Sequence, residues 1–445
     1  MTMSANQALS AATPFTGSRE LSELLDPIGP DTFFGEYWEQ KPLFIKGGLE
    51  KVERLIPGGF GLTHFREAVR TAEANQVRGF RLWAQKLKER NLYIRSDQID
   101  AMIATGSNVA AELYSDRRVA KFVAALKAQL HHPGDISYAA TLSPVGQGWP
   151  LHIDRSINFS IQCEGRKLFV VSEEPVVAWP SGSIGFSDDG FPETFLHNPM
   201  PWEEALRVDT SRLLEFEAEP GDVIYWPAGT LHTTRGLSDL SLTLHSVINH
   251  ETFLNLFSRF LLSTFVGRPE WRHLPAIPAA GVPPGRVPNE VKKFFAARLQ
   301  EVGEFVETLK PDSLDFNREW HKLLAAPGEL ILPQLLPAPA EQGKRAIEPG
   351  DVLRLSKTGP ITHTFGIDAD GQRSFYLYFA DKELSLSGQW FDFLQTLVHQ
   401  ESFVAESATR WAHDRQPYDW ETVRTYLQVM LDQGILERQE SPAVA

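Results

Sequence analysis

His152 and Asp154 stand two residues apart in PLHIDRSINFSIQCEGRKLF, the stretch from Pro150 to Phe169. Side chains alternate faces along a strand, so a strand here turns both toward one side, where they can share a metal ion. Alone, an H-x-D pair carries little, because it occurs often by chance. A second stretch, EPGDVIYWPAGTLHTTRG, adds weight: Gly221 and Asp222 read as a turn, Val223 to Trp226 as a strand, and Pro227 and Gly229 as a bend followed at once by His232.

The strand from His152 alternates throughout. Ser156, Asn158, Ser160 and Gln162 continue its polar face, while Ile153, Ile157, Phe159 and Ile161 fill most of the other face. Glu164, Gly165 and Arg166 read as a hairpin turn, after which Lys167 opens a returning strand of Leu, Phe and Val. A lysine there is costly to bury without an anionic partner, and the plain alternative is that it reaches out to water at the strand end. Asn158 has the inward parity of a site residue, against the simpler role of a hydrogen bond within the fold. His245 and His250 read as structural, and Ser156, Ser160 and Gln162 as filling a wet end.

The elements that must position these residues lie in a chain of 445 residues, 42% hydrophobic and 11% aromatic, enough for two or three folded units. Residues 1–20 read as a loose tail. Phe60 to Leu130 reads as mainly helical, with runs such as FREAVRTAEA and LWAQKLKER. From Ile136 to Asn249, short strands (ISYAATL, INFSIQ, KLFVVS, LLEFEA, DVIYWP, SLTLHSVI) alternate with turns, which predicts an antiparallel barrel or jelly roll. PAIPAAGVPPGRVP reads as a connector, and NEVKKFFAARLQEVGEFVETL as an amphipathic helix whose apolar stripe is either a packing face or a dimer seam. Beyond a second break, LLPAPAEQGKRAIEPG, strands DVLRL, SFYLYFA and GILERQ with helices GQWFDFLQTLVHQ and YDWETVRTYLQVMLDQ suggest a winged-helix-like module.

Charge limits the partners. The net charge is −14, which disfavours a phosphate backbone or an anionic membrane and suits a basic peptide or protein. DNA is the usual partner of a winged helix, but from Leu384 to Glu440 acidic side chains outnumber Lys and Arg nine to four, so nucleic-acid binding through this module is not expected. The lone Cys163 excludes an internal disulfide and a multi-cysteine zinc site. With no secretory signal and no apolar run near the ~20 residues that span a bilayer, a cytoplasmic location is expected.

Read as G-x5-P-x-G-x2-H, the stretch from Gly221 to His232 resembles the second signature motif of cupin-type barrels, whose bend delivers a histidine into the barrel mouth to meet the H-x-D pair. Two histidines and a carboxylate on one metal face leave three positions open, as in non-haem Fe(II) oxygenases, and zinc could occupy the same ligands. The plain alternative is three polar residues on a barrel rim. H-x-D, a G-R-K ending fifteen residues after the first histidine, and P-A-G-x-x-H together resemble the JmjC Fe(II)- and 2-oxoglutarate-dependent oxygenases, and FFGEYWEQKPLFIKGG resembles the leading segment of their ribosomal-oxygenase branch. The resemblance implies an α+β chain: a double-stranded β-helix (cupin/jelly-roll) barrel with N-terminal helices over 21–250, a helical dimerisation region over 251–340, and an acidic winged-helix-like domain over 345–445. It implies iron on His152, Asp154 and His232, and the far carboxylate of 2-oxoglutarate on Lys167. Thr243 lies where that branch often has a co-substrate hydroxyl, although the alignment there needs a gap. Asn158 departs from the branch and resembles the asparaginyl-hydroxylase relatives, whose Asn lies beside the co-substrate. The loop TLSPVGQGW departs in length and residues, which leaves the substrate open.

The activity so implied is hydroxylation of a protein or peptide side chain by a homodimer using Fe(II), 2-oxoglutarate and O2, with succinate and CO2 released. N-methyl-lysine demethylation and small-molecule hydroxylation are the enzymatic alternatives, and a metal-binding cupin scaffold is the non-enzymatic one.

Overall fold

A computed structural model describes residues 19–87, 90–114, 116–196, 206–250, 252–274, 285–310, 312–326, 328, 345–356, 360–368, 370–412 and 416–439. The tail expected over residues 1–20 lies outside them up to residue 18, as do most of both proline-rich connectors, and Glu20 already begins a helix.

Two antiparallel sheets carry the chemistry-bearing residues. One has eight strands: β1 (Leu43–Ile45), β2 (Leu82–Gln85), β3 (Leu92–Tyr93), β4 (Asn108–Glu112), β5 (Ile136–Pro144), β7 (Ser156–Glu164), β12 (Val223–Trp226) and β14 (Leu240–Asn249), in the order β1-β12-β7-β14-β5-β4-β2-β3. The other has six: β6 (His152–Ile153), β8 (Lys167–Pro175), β9 (Ser183–Phe186), β10 (Pro192–Leu196), β11 (Leu213–Ala218) and β13 (Thr230–Gly236), in the order β10-β9-β6-β13-β8-β11. From β5 to β14, six of the nine steps between consecutive strands cross to the opposite sheet, which is the jelly-roll arrangement.

Strand β7 shows why its polar alternation is stable. Ile157, Phe159 and Ile161 join one core cluster with Phe33, Phe65 and Val123, which come from helices Pro30–Glu36, Leu62–Ala74 and Arg117–Leu130. Phe33 packs its ring 5.7 Å from Phe159 and 4.8 Å from Tyr225. Burying each such side chain contributes roughly 1.5–3 kcal/mol, so helices cover the outer face and the polar face is left to the barrel interior. That face is not a wet end: Ser160 and Gln162 are fully buried. Gln162 Nε2 donates to Ser241 Oγ at 3.0 Å and to the Glu164 carbonyl at 2.7 Å, so the pairing that burial requires is met inside the barrel.

The helical expectation for Phe60 to Leu130 holds for Leu62–Ala74, Ile99–Ala104 and Arg117–Leu130 but fails at LWAQ. Leu82–Gln85 is strand β2, with Leu82 and Ala84 buried, because it pairs with β4, which in turn pairs with β5 and extends the large sheet. Pairing with a distant strand overrides the local helical spacing.

After the barrel, helices Phe253–Phe265 and Asn289–Thr308 leave apolar side chains in water. Phe253 is 75% exposed, Leu254 72%, Phe295 60% and Leu299 56%. The C-terminal unit has its own core, from Ile347 to Leu436. There β15 (Val352–Leu355), β19 (Phe403–Val404) and β20 (Leu436–Arg438) form a small sheet with helices Phe391–Leu397 and Trp420–Asp432 in a winged-helix-like unit. A meander of β16 (Ile361–Ile367), β17 (Arg373–Phe379) and β18 (Lys382–Ser387) is added to it. Among the described residues, no helix is long and apolar enough to cross a membrane.

Candidate metal and co-substrate site

The small sheet pairs β6 with β13 so that His152 lies directly across from His232, and their rings sit 4.1 Å apart between centroids. Asp154 follows β6 immediately. Its Oδ2 is 3.6 Å from His152 Nε2 and 3.7 Å from His232 Nε2, and one ligand atom from each of the three lies within 4.8 Å of the others.

Neighbouring groups orient all three. His152 Nδ1 sits 2.7 Å from the Pro150 carbonyl and His232 Nδ1 2.9 Å from the Thr230 carbonyl. A carbonyl only accepts, so each Nδ1 carries the proton and each Nε2 keeps a free lone pair aimed at the shared point. Ser183 Oγ donates to Asp154 Oδ1 at 2.9 Å, which leaves Oδ2 toward the histidines. Burial, then the neighbouring His152, push the pKa of His232 down to about 3, so it is neutral. Burial opposes ionisation of Asp154, yet the imidazoles of His152 and His232 outweigh it and hold the carboxyl well below its usual range. Burial opposes protonation of His152, but Asp154 beside it raises its pKa overall. Two imidazoles and a carboxylate on one point are a donor set that fits a divalent transition metal, which takes the place of a proton there.

The backbone that delivers His232 depends on a glycine. Gly229 has φ +76°, donates its N–H to the Asp154 carbonyl at 2.8 Å, and leaves no room for a side chain, since a Cβ would lie 1.8 Å from the Val177 carbonyl oxygen. The divergent loop before His152 is held similarly closely. Thr234 Oγ1 accepts from the Trp149 N–H at 3.0 Å, and Thr233 Oγ1 donates to the Trp149 carbonyl at 2.8 Å.

The three residues open into a cavity of about 380 Å³ that Asn158 also lines, together with Trp83, Trp149 and Trp226. Asn158 donates to the Ser156 carbonyl at 3.3 Å. Lys167 is fully buried and does not itself line this cavity, and among the described residues its Nζ has no hydrogen-bond partner. Burial pushes its pKa down to about 7. A buried, unpaired ammonium is a strong request for an anion. Thr243 faces the interior, but its hydroxyl donates to Gln162 Oε1 at 2.9 Å, and Thr243 does not line the cavity.

Sequence reasoning passed over Ser183, the three tryptophans and His245. His245 is not outside the site: it stands across from Ser160 on β14 and lines the cavity. Strand parity was the available signal, since His245 is two residues from Thr243. Glu39, His132 and His250 form a second group of ligand types within 4.8 Å. There the Gly134 N–H donates to His132 Nδ1 at 3.0 Å, which puts the proton on Nε2 and leaves a neutral imidazole without a free lone pair.

A jelly roll with this triad at its mouth defines a cupin of the JmjC type, and residues 112–256 match the family model described as the JmjC domain. Over those residues the chain is similar to JmjC domains, and its relatives include proteins named ribosomal oxygenases. It is 26% identical over 238 residues to "Ribosomal oxygenase 2" of Mus musculus, a match covering 51% of this chain and 46% of that protein, so the chain matches about half the length of this curated relative. "Uncharacterized protein YxbC" of Bacillus subtilis is 22% identical over 306 residues, 66% of this chain and 89% of that protein. Escherichia coli YcfD, a ribosomal oxygenase solved in complex with cobalt and succinic acid, superposes with a TM-score of 0.53 at 15% identity, covering 92% of this chain and 98% of that one. The same protein is also solved with cobalt and 2-oxoglutarate, at a TM-score of 0.50 and 14% identity.

Proposed function

We propose that this chain is an Fe(II)- and 2-oxoglutarate-dependent oxygenase that hydroxylates a side chain of a protein or peptide. The observation that carries this reading is the pairing, in one barrel, of a preset His-Asp-His triad with a buried lysine whose Nζ has no hydrogen-bond partner among the described residues. His152, Asp154 and His232 would hold the iron, and Lys167 the far carboxylate of 2-oxoglutarate. When bound, iron and 2-oxoglutarate together activate O2 for insertion of one oxygen atom into a C–H bond, with succinate and CO2 as co-products.

The chain's own contribution is position and dryness. The carbonyls of Pro150 and Thr230 hold the proton on each Nδ1, and Ser183 fixes the rotation of the Asp154 carboxylate. Trp226, its ring 4.8 Å from that of His232, walls the metal side from water. Asn158, inside the same cavity, is placed to hydrogen-bond the co-substrate. The structures of YcfD with cobalt and with 2-oxoglutarate or succinic acid support this reading by analogy of fold.

We read residues 21–250 as the catalytic domain, 251–340 as a dimerisation region whose exposed Phe295 and Leu299 meet a second copy, and 345–445 as a winged-helix-like domain that does not bind nucleic acid. The names of the relatives and the net charge of −14 favour a basic protein substrate. The test is turnover: aerobic enzyme with Fe(II) and 2-oxoglutarate should form succinate, and cellular proteins incubated with it should gain the mass of one oxygen atom. Absence of succinate from iron-loaded enzyme, with and without such proteins, would remove the oxygenase reading.

A further inference from the structure

His245 sits at the middle of β14, its backbone paired with Ser160 on one side and Ala139 on the other. Antiparallel partners share a face, so its ring joins Ser160 on the inner wall, and it lines the cavity that holds the triad. Two nitrogens decide what it can do there. Nδ1 is 2.7 Å from Ser160 Oγ, and Nε2 is buried without a partner among the described residues.

The hydroxyl fixes the tautomer. Ser160 is fully buried, and among the described residues its hydroxyl has no acceptor other than His245 Nδ1. Were Nδ1 to carry the proton, the serine hydrogen would be a buried donor with nowhere to go; with the serine donating to Nδ1, it is satisfied. The ring proton then lies on Nε2, as a donor aimed inward. Among the described residues, Lys167 Nζ is a further buried donor without a partner and the one that carries charge, beside the indole N–H groups of Trp83 and Trp226 on the cavity wall. Lys167 starts four residues before Val171, the residue paired with His232, which is roughly 13 Å along the strand at ~3.3 Å per residue. Lys167, His232 and Asp154 all act electrostatically on the His245 ring, so it lies within range of a ligand that stretches from the triad toward Lys167.

We propose that His245 is a co-substrate-binding residue whose Nε2–H donates to the same distal carboxylate that Lys167 holds. The inference rests on the 2-oxoglutarate reading and deepens it. The site becomes a two-donor clamp: a cation supplies charge, and a neutral imidazole, set by Ser160, supplies direction. A monocarboxylate 2-oxo acid would gain from neither donor, so the clamp selects for a dicarboxylate.

The test is 2-oxoglutarate binding by calorimetry to the full chain loaded with Co(II), which keeps oxygen chemistry silent. His245→Leu should weaken binding by about tenfold to a hundredfold, the usual effect of a hydrogen bond to a charged group. The visible spectrum of bound Co(II) should not change. His245→Gln, whose amide N–H reaches a similar point, should recover most of the affinity. Ser160→Ala, which releases the tautomer, should weaken binding by a smaller factor and serves if His245→Leu does not fold. Wild-type affinity in His245→Leu, or in Ser160→Ala where that variant stands in for it, would overturn the inference alone. Failure of wild-type, Co(II)-loaded protein to bind 2-oxoglutarate would overturn the co-substrate reading along with it.

Discussion

Replacing Lys167 with methionine should make the free protein more stable while abolishing its use for 2-oxoglutarate. Burial alone takes the Lys167 pKa from 10.5 to about 7. At about 1.4 kcal/mol per pKa unit, that is on the order of 5 kcal/mol of folding free energy lost at pH 7 for want of an anion. Local relaxation reduces the recoverable part, and replacing buried charges with apolar side chains of similar volume typically returns about 1–4 kcal/mol. The unfolded chain binds the extra proton between pH 7 and 10.5, so wild-type stability should rise with pH across that window. The advantage of Lys167→Met should shrink over the same window and vanish above it. Thermal unfolding at several pH values, with and without 2-oxoglutarate in the presence of Mn(II), reads both effects. The variant should melt several degrees higher at pH 7, and the ligand should raise the melting temperature of wild type only. A variant that melts no higher than wild type at pH 7, or that is still stabilised by 2-oxoglutarate, refutes the view of Lys167 as a charge kept for an anion.

The same lysine sets a pH dependence for binding. Because an anion raises its pKa, 2-oxoglutarate affinity measured by titration should be fully present below pH 7 and fall by up to about tenfold per unit above it. Ser183→Ala frees the Asp154 carboxylate and should cost about 10–100-fold in metal affinity, read by competition with a chelating dye. Gly229→Ala forces a methyl onto the Val177 carbonyl at a positive φ and should cost at least ~1–3 kcal/mol in urea unfolding together with loss of metal. Phe295→Asp with Leu299→Asp should shift sedimentation from dimer to monomer with the melting of the barrel unchanged.

How far the site could be read in the sequence follows from periodicity. Facing along a strand repeats every two residues, so the inward parity of Asn158 was legible without coordinates. The single strand read from His152 is broken, however: β6 (His152–Ile153) lies in the small sheet, β7 (Ser156–Glu164) in the large one, and Asp154 meets His152 just past the end of β6. The bend before His232 was legible because Pro227 and Gly229 mark it. Contacts between strands were not. The ladder of β14 on β7 shifts register between Leu242 and Thr243, and beside that irregularity the hydroxyl of Thr243 turns to Gln162 while His245 takes the cavity wall. Nothing local announces such a shift. Strand β2 was hidden for a similar reason, since LWAQKLKER fits a helix by spacing and only its distant partner β4 makes it a strand. In the C-terminal unit, the sequence reading placed the strands now at β15, β17 and β20 but passed over β16 and β18, whose mixed polar residues give weak alternation.

The most direct test of the central claim is an anaerobic titration of metal-free protein with Fe(II) and then 2-oxoglutarate, followed by visible absorption. If His152, Asp154 and His232 hold iron and Lys167 presents 2-oxoglutarate to it, a weak charge-transfer band should appear only when both are present. That band should be missing in His232→Ala and in Lys167→Met. No band in the wild-type protein, together with a metal content that His232→Ala leaves unchanged, would contradict the account.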